Sequence, residues 1–414
     1  MRKVELLVIG GGSAGMAAAL SAYENGIKDI LIVERENELG GILQQCIHNG
    51  FGLHTFKEEL SGPQFAQRFI NRLKETDIQV MLDTTVLKVN SDKTVEISSA
   101  KGIEKIQAAA IILAMGCRER TASEIRLRGS RPKGIYNAGS AQLYLNKDGK
   151  MVGKKVFILG SGDIGLIMAR RMVWEGAQVL GVAEIMPYSN GLARNIQQCL
   201  IDYDIPLYLS HTVTKVCGYP NLQQIEIAQV DENRKIIQNT QKCFDVDTLL
   251  LSVGLIPENR IIEDLQLQLN SKTRGVNVDE DYMSEVEGIF ACGNVLHVHE
   301  LVDYVADEAI MSGKAAAEYL QGKRNKELYL EQQAGKGLNY ILPQRVHADN
   351  ENDVEFKFRV TQPIERAVLK ITSNGFEKRI SLRNVVPAEM KKAVLKADEL
   401  ASCHEAIKWE VVYD

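Results

Sequence analysis

The sequence has few cysteines, and no two of them are close together. It contains seven, and the nearest pair along the 414-residue chain is Cys199 and Cys217. This spacing excludes a CxxC redox motif, a zinc site made of cysteine pairs and an iron–sulphur cluster motif. We therefore expect the cysteines to be reduced and to behave as small buried hydrophobic residues.

Long apolar runs and an excess of basic residues are also missing. No run reaches the roughly 18 apolar residues of a transmembrane helix. The 49 Lys and Arg residues are outnumbered by 54 Asp and Glu residues, so nothing favours nucleic acid or an anionic membrane as a partner. Arg2, Lys3 and Glu5 interrupt the apolar N-terminal stretch, unlike a secretory signal. We expect a cytoplasmic protein of two or three domains, associated with a membrane only through partners.

The sequence does contain one glycine pattern twice, each copy with an acidic residue at the same later position. The copies consist of Gly10, Gly12, Gly15 and Glu34, and of Gly160, Gly162, Gly165 and Glu184. Each follows an apolar strand and opens an amphipathic helix. The glycines allow a tight turn, close approach of a pyrophosphate and close helix–strand packing, and the carboxylate suits a ribose diol. The duplication predicts two bound dinucleotides and electron transfer between them.

Five segments, in their order along the chain, carry a resemblance to a known superfamily. They are residues 10–15, 34–41, 112–116, 252–254 and 289–294. Together they resemble the FAD/NAD(P) oxidoreductases of the thioredoxin reductase and glutathione reductase superfamily. The resemblance implies an α/β fold with two Rossmann-like dinucleotide-binding domains, one inserted in the other, and a small C-terminal β domain.

The domain bounds that the resemblance implies divide the chain into three parts. The FAD-binding domain would contain residues 1–120 and 246–325, and the NAD-binding domain residues 121–245. The C-terminal β-rich domain would contain residues 332–414, where apolar and polar residues alternate and Ser373-Asn374-Gly375 favours a hairpin turn. We expect this tail to serve in subunit contact.

The resemblance assigns FAD to the first glycine pattern, with Glu34 on the adenosine ribose and Val86 offering backbone contacts to the adenine. The predicted FAD-binding residues are Gly10, Gly12, Ser13, Ala14, Gly15, Glu34, Arg35, Gly40, Gly41, Ile42, Val86, Ala114, Gly116, Gly293 and Asn294. Asn294 stands where the family usually has aspartate. Asparagine keeps a carbonyl acceptor and loses a negative charge, which leaves open whether FAD binding is weakened.

The second glycine pattern is assigned the nicotinamide dinucleotide. The predicted NAD-binding residues are Gly160, Gly162, Asp163, Ile164, Gly165, Glu184 and Gly254. A carboxylate at position 184 suits the ribose diol of NAD and repels the 2′-phosphate of NADP. Because residues 185–188 add no cation, we expect NAD.

The cysteines that receive electrons in the two reductase groups are missing. Thioredoxin reductases have a CxxC before the second pattern, where residues 134–141 contain no cysteine, and glutathione reductase relatives have two cysteines where this chain has only Cys46. A closer resemblance is to the FAD/NAD subunits of multi-subunit dehydrogenases of glycerol 3-phosphate, opines, hydroxyproline and glycine. Residues 41–52, 115–120 and 293–299 most resemble the subunit that accompanies anaerobic glycerol-3-phosphate dehydrogenase.

The sequence does not identify the catalytic residues, and Cys46 and His48 are the candidates. His48, His54, His297 and His299 fall in segments expected near the flavin, where they either bond flavin or substrate or cap turns. No suitably spaced third ligand accompanies His297 and His299 in the sequence, so no metal site is predicted.

These observations favour an FAD-dependent, NAD(H)-linked oxidoreductase. We expect it to be the electron-transfer subunit of a multi-subunit dehydrogenase, for glycerol 3-phosphate. Its partners would be a second flavin-containing dehydrogenase subunit or a further electron carrier, in an oligomer. Two alternatives stay open: a self-sufficient NADH oxidase or NADH:acceptor reductase, and a nucleotide-sensing or scaffold flavoprotein subunit.

Overall fold

The computed structural model describes residues 1–323 and 329–413, which form two compact units. One unit contains Met1–Cys117 and Pro257–Asp414, and the other contains Arg118–Ile256. The second unit is therefore inserted in the sequence of the first. The predicted C-terminal β region belongs to the first unit, and the predicted domain ends at residues 325 and 414 lie outside the described residues.

The first unit begins with a mainly parallel sheet whose central strands are apolar. Its elements, in chain order, are β1 (Arg2–Ile9), α1 (Ser13–Glu24), β2 (Ile30–Val33), β3 (Asn49–Phe51), β4 (Leu60–Ser61), α2 (Gly62–Lys74), β5 (Gln79–Met81), β6 (Thr85–Val89), β7 (Thr94–Ser99) and β8 (Gly102–Leu113). The sheet order is β5-β2-β1-β8-β7-β6. Because Val8 is in register with Ile32 and Ile112, three strands end at the same edge. Strands β5 and β6 are separated at Asp83, whose φ is 48°.

The second unit contains another parallel sheet with a small antiparallel sheet. Its elements are β9 (Cys117–Glu119), β10 (Ile135–Asn137), α3 (Ala138–Asn146), β11 (Lys155–Leu159), α4 (Asp163–Trp174), β12 (Gln178–Glu184), α5 (Ala193–Cys199), β13 (Leu207–Leu209), β14 (His211–Cys217), β15 (Gln224–Gln229), β16 (Lys242–Asp245), β17 (Thr248–Leu251) and β18 (Leu255–Pro257). The parallel sheet has the order β10-β17-β11-β12-β13. Helix α5 begins at Ala193, and a 3-10 turn follows it.

The chain then returns to the first unit. The remaining elements are β19 (Ile289–Ala291), α6 (Val302–Leu320), β20 (Tyr329–Ala334), β21 (Leu338–Leu342), β22 (Arg345–His347), β23 (Val354–Val360), β24 (Ile364–Ser373), β25 (Phe376–Val385), β26 (Lys391–Leu395), α7 (Ala397–Ala401) and β27 (Ile407–Val412). β19 pairs in parallel with β8, which completes the first sheet. α6 packs tightly on α1 because Gly313 has no side chain. A Cβ at this position would collide with the backbone of Ala18.

The C-terminal β region has two sheets and a hydrophobic core of its own. The sheets have the orders β22-β20-β27-β24-β25 and β21-β23-β26. Trp409 is fully buried in the core, and its ring lies 4.8 Å from that of Phe356. The predicted hairpin is confirmed, since β24 and β25 pair up to Ser373 and Phe376. No helix among the described residues is long and apolar enough to cross a membrane.

Candidate functional site

The first glycine pattern joins β1 to α1 in a turn that only glycine allows. Gly10 has a φ of 104°, and a Cβ there would lie 2.5 Å from the carbonyl oxygen of Ala114. A Cβ on Gly15 would collide with the carbonyl oxygen of Gly10. Gly12 faces open space at the N-terminus of α1, where no side chain from the described residues caps the helix. This open, uncapped helix end fits a dinucleotide pyrophosphate.

Glu34 is the acidic residue of this first copy, and it lies at the end of β2. Its side chain is almost fully buried. Oε2 accepts a hydrogen bond from Gly11 N at 2.6 Å, and Oε1 accepts one from Glu36 N at 2.9 Å. Since each carboxylate oxygen has further lone pairs, Glu34 holds the glycine turn and keeps the capacity to accept from a ribose hydroxyl.

Most of the other predicted FAD residues gather at the same turn. Gly40 N donates to Gly11 O at 2.9 Å, and a Cβ on Gly41 would lie 3.2 Å from Gly12 Cα. A Cβ on Gly293 would lie 2.9 Å from the Cβ of Ala14. The pattern is therefore enclosed by segments that are far apart in sequence, as the resemblance implies for FAD.

Three predicted FAD residues have other surroundings. Arg35 is exposed and pairs with Glu36 at 3.2 Å. Ile42 is also exposed, and Val86 is buried in a hydrophobic cluster that contains Ile9. A role for these three residues depends on the cofactor reaching them.

The second glycine pattern repeats the same local geometry between β11 and α4. Gly160 has a φ of 97°, and a side chain there would collide with Ser252 O. Ser252 Oγ accepts a hydrogen bond from Gly165 N at 3.1 Å. As in the first copy, the N-cap is a glycine, Gly162, which has no side chain to cap the helix. This helix end also fits a pyrophosphate.

Glu184 occupies the place in the second copy that Glu34 occupies in the first. Its Oε2 accepts from both Ser161 N at 3.0 Å and Ser161 Oγ at 2.7 Å, and its Oε1 accepts from Met186 N at 2.9 Å. Ser161 Oγ in turn accepts from Asn190 N at 3.0 Å. The Ser161 hydroxyl thus occupies a lone pair of the Glu184 carboxylate. Gly11, the corresponding residue of the first copy, has no side chain, so the same lone pair of Glu34 stays available.

Asp163 and Gly254 have different positions in this unit. Asp163 Oδ1 accepts from Leu192 N at 2.9 Å and from Asn195 Nδ2 at 2.6 Å, so the side chain fixes the start of α5. Gly254 has a φ of 104° and open space around its Cα. Its carbonyl oxygen accepts from Arg120 N at 3.0 Å.

A buried charged cluster lies beside Gly293 and Asn294, and no sequence pattern indicated it. Its centre is Glu308 of α6, which has no solvent exposure. Oε1 accepts a hydrogen bond from Gly293 N at 2.8 Å. Oε2 accepts one from Lys357 Nζ at 2.7 Å and lies 3.1 Å from His297 Nε2. Lys357 and the histidines hold the pKa of Glu308 well below its usual range despite burial. The carboxylate is therefore charged at neutral pH.

The same cluster contains a set of atoms that are able to ligate a metal. His297, His299 and Glu308 present three ligand atoms within 4.8 Å of one another. Glu308 is the third ligand that the sequence spacing did not reveal, because α6 brings it back to the histidines. However, the Lys357 ammonium lies 2.7 Å from the same carboxylate oxygen, where it would repel a divalent cation. The charge arrangement disfavours a metal.

Asp303 fixes the loop after Gly41, which carries the catalytic candidates. Its buried carboxylate accepts from Gly52 N at 3.1 Å, His54 N at 3.1 Å and Thr55 N at 2.8 Å. His48 lies in this loop with its Nδ1 3.1 Å from Asn49 O. Burial raises the pKa of the Cys46 thiol to about 12, which argues against a nucleophilic thiolate at neutral pH.

The family of the chain is decided by a match that covers most of its length. Residues 4–318 match the model of the pyridine nucleotide-disulphide oxidoreductase family. The chain belongs to this family. Membership confirms the predicted two-domain Rossmann fold, the oxidoreductase class and the two cofactor types, FAD and a nicotinamide dinucleotide.

Individual relatives are distant. One of the opine oxidase subunits of Agrobacterium tumefaciens is 24% identical over 76% of this chain and 64% of its own length. An NADH oxidase of Methanocaldococcus jannaschii is 24% identical over 77% of this chain and 68% of its own length. The thioredoxin reductase structure of T. acidophilum has a TM-score of 0.62 at 21% identity, covering 78% of this chain and 99% of that one.

The chain spans about two thirds of the length of these curated relatives. The structural likeness, at 21% identity, concerns the fold. The resemblance to pyridine nucleotide oxidoreductases is thus confirmed at the level of the family.

Proposed function

We propose that the chain holds FAD on the Gly10 copy of the glycine pattern and binds NAD(H) on the Gly160 copy, and transfers electrons between them. The supporting observation is that both copies place a helix N-terminus, whose N-cap is a glycine without a side chain, beside a buried carboxylate. The unit containing Met1–Cys117 and Pro257–Asp414 is the FAD-binding unit, and Arg118–Ile256 is the NAD-binding unit. When bound, the flavin supplies the two-electron chemistry.

The protein residues bind and orient the cofactors. The amides at the start of α1 would bind the FAD pyrophosphate, next to Gly40 and Gly41, which pack on the same turn. Glu34 accepts from the adenosine ribose with lone pairs that Gly11 and Glu36 leave free. Gly293 and Asn294, held by Glu308 and by His299, line the ribityl side.

NAD is preferred over NADP in this proposal. Glu184 is buried at the end of β12, and a carboxylate there repels a 2′-phosphate. The preference is supported by the absence of any Lys or Arg among residues 185–188.

The physiological role that we propose is that of an electron-transfer subunit of a multi-subunit dehydrogenase. The sequence has no CxxC pair, and the cysteines that the structure describes are free, which supports a partner as the other end of the electron transfer. One relative is named as a subunit of an opine oxidase. The resemblance of residues 41–52, 115–120 and 293–299 favours glycerol 3-phosphate as the substrate of the partner, a second flavin-containing dehydrogenase subunit. The assembly works in the cytoplasm or at the membrane through its partners.

Anaerobic mixing of the FAD-loaded chain with NADH tests the electron-transfer step. We expect NADH to bleach the flavin absorbance within milliseconds to seconds, and NADPH to do so much more slowly. A flavin that stays oxidised with excess NADH would contradict the proposal. Co-purification under native conditions tests the partner, which we expect to contain its own flavin.

A self-sufficient NADH oxidase is the second candidate function, and the Methanocaldococcus jannaschii relative is the observation that favours it. The isolated chain would then consume NADH with oxygen at the same rate with and without partners. In the subunit role, oxygen consumption by the isolated chain is slow and rises when the partner dehydrogenase is added.

A further inference from the structure

The buried carboxylates of the two glycine patterns accept different sets of hydrogen bonds. Each oxygen of Glu34 accepts one bond from a backbone N–H, at 2.6 Å and 2.9 Å. Each oxygen of Glu184 likewise accepts one, from Ser161 N at 3.0 Å and from Met186 N at 2.9 Å. Oε2 of Glu184 accepts a further bond from Ser161 Oγ at 2.7 Å. The two carboxylates thus differ by the Ser161 hydroxyl.

This hydroxyl changes how many ribose hydroxyls each carboxylate is able to bind. A carboxylate has about four lone-pair sites, two on each oxygen, and it accepts without donating. After the bonds within the described part of the chain, Glu34 keeps one site on each oxygen. Glu184 keeps one site on Oε1, since Ser161 fills both sites of Oε2. Both hydroxyls of a ribose diol are able to donate to Glu34, but only one is able to donate to Glu184.

The direction of the Ser161 hydroxyl is fixed by its second partner. Oγ lies 3.0 Å from Asn190 N, and a backbone N–H only donates, so Oγ is the acceptor there. Its own hydrogen therefore points to Glu184 Oε2. Ser161 has no solvent exposure, so water does not compete for this bond. The lone pair on Glu184 stays occupied.

The first glycine pattern excludes a side chain at the corresponding position. A Cβ on Gly11 would collide with the side chain of Leu39 and would lie 3.2 Å from Glu34 Oε2. A serine at this position would require Leu39 to move. The packing around the first carboxylate thus keeps its acceptor sites available, and the second pattern has the hydroxyl that fills one of them.

We propose that Ser161 is a positioning residue that keeps NAD exchangeable, because it occupies an acceptor site of Glu184. This inference rests on the proposed function. The adenosine ribose of NAD donates one hydrogen bond to Glu184, whereas that of FAD donates two to Glu34. One hydrogen bond fewer weakens binding by about tenfold, or roughly 1.4 kcal/mol. The weaker binding favours release of the nicotinamide dinucleotide after each hydride transfer.

Removal of the hydroxyl tests this inference. In Ser161→Ala, Oε2 of Glu184 gains a free acceptor site, and the N–H of Asn190, an exposed residue, bonds water instead. We expect the Kd of NAD⁺ for the FAD-loaded chain with oxidised flavin, measured by calorimetry, to fall about tenfold. FAD content should not change. Ser189→Ala is the matched control, since it removes the acceptor of Gly191 N at 3.2 Å in the same loop and does not touch Glu184. Its Kd should equal that of the wild type.

Two analogues of NAD⁺ give a readout that a merely structural role of Ser161 would not change. They lack the 2′-hydroxyl or the 3′-hydroxyl of the adenosine ribose. Since Glu184 has one free acceptor site in the wild type, we expect only one of the two analogues to bind about tenfold more weakly than NAD⁺. In Ser161→Ala, both analogues should bind more weakly than NAD⁺.

The outcomes separate the inference from the proposed function. If NADH fails to bleach the flavin and NAD⁺ does not bind, the proposed function is wrong. If NAD⁺ binds and Ser161→Ala does not bind it more tightly than the wild type, or Ser189→Ala tightens binding equally, the inference is overturned and the proposed function stands. Should Ser161→Ala fail to fold, the wild-type chain decides, because an equal loss of affinity for both analogues contradicts a single free acceptor site.

Discussion

The two glycine patterns have nearly the same local geometry, but their surroundings differ. The first is closed by Gly40–Gly41 and by Gly293, which come from distant parts of the chain. The second is bonded by Ser252 and by the loop of residues 190–192, which donates to Ser161 and Asp163. One copy is thus enclosed from several sides, and the other is bounded mainly by its own sheet and one loop. This difference fits a retained FAD and an exchangeable NAD.

The third glycine of each copy gives the sharpest way to break this comparison. In Gly15→Ala, the new methyl group collides with Gly10 O, so α1 must move. We expect the purified variant to contain almost no FAD. In Gly165→Ala, the methyl group would lie 2.7 Å from Ser252 Cβ, and we expect FAD to be retained while NADH affinity falls. Equal loss of FAD in both variants would show that the copies do not have separate occupants.

The Lys357→Met variant tests whether FAD binding at the first glycine pattern depends on the C-terminal β region. Lys357→Met leaves the buried Glu308 carboxylate without its cation, which costs about 3–5 kcal/mol in comparable pairs. We expect a lower free energy of unfolding by urea and weaker FAD retention. Lys392→Met, from the exposed Lys392–Glu355 pair at 2.9 Å, is the control and should cost about 0–1 kcal/mol. A large effect of Lys392→Met alone would contradict the role of the cluster.

The Glu184→Gln variant tests the assignment of NAD to the second glycine pattern. Glu184→Gln removes the negative charge and keeps the shape, so repulsion of a 2′-phosphate falls. We expect the preference for NADH over NADPH, measured as the ratio of kcat/KM values, to decrease by about tenfold, a change of roughly 1.4 kcal/mol. FAD content should stay unchanged. An unaltered ratio would mean that Glu184 does not contact the dinucleotide ribose.

The acid side of the stability curve tests the buried charged cluster. Because the pKa of His297 is lowered in the fold from 6.5 to about 3, the unfolded chain binds the proton more readily between these values. Stability due to neutral His297 is therefore present above pH 6.5 and is lost as the pH falls. Glu308, whose folded pKa is also lowered, adds to the loss below its ordinary value of 4.5.

His297→Gln should flatten this dependence. Urea unfolding of wild type and variant at a series of pH values measures it, with His404→Gln at the surface as the control. If the two histidine variants have the same slope between pH 6.5 and 4.5, His297 does not carry the effect.

The sequence predicted the features that depend on local spacing. Gly10, Gly15 and Glu34 act within one strand–helix–strand unit, so their pattern was sufficient to predict its glycine turn. The fold of the whole chain followed from the resemblance of five segments to a known superfamily. The hairpin turn expected at Ser373-Asn374-Gly375 was found between β24 and β25. These features follow from short-range geometry that the glycine and apolar positions encode.

The charged cluster could not be predicted in the same way. Glu308 stands in a helix rich in small residues, and its partner Lys357 is 49 residues further along the chain. Lys357 lies in a strand whose alternation suggested a half-buried face with outward charges, yet it is 4% exposed. Pairings between distant elements depend on tertiary packing, and sequence spacing does not contain them.

Cofactor retention tests the central comparison most directly. The purified chain is dialysed exhaustively, and its bound nucleotides are released by denaturation and identified by chromatography. We expect one FAD per chain and no NAD, together with rapid, reversible NADH binding to the dialysed protein. A folded chain that retains NAD, or that loses FAD as readily as NAD, would contradict the assignment of a resident and an exchangeable cofactor to the two glycine patterns.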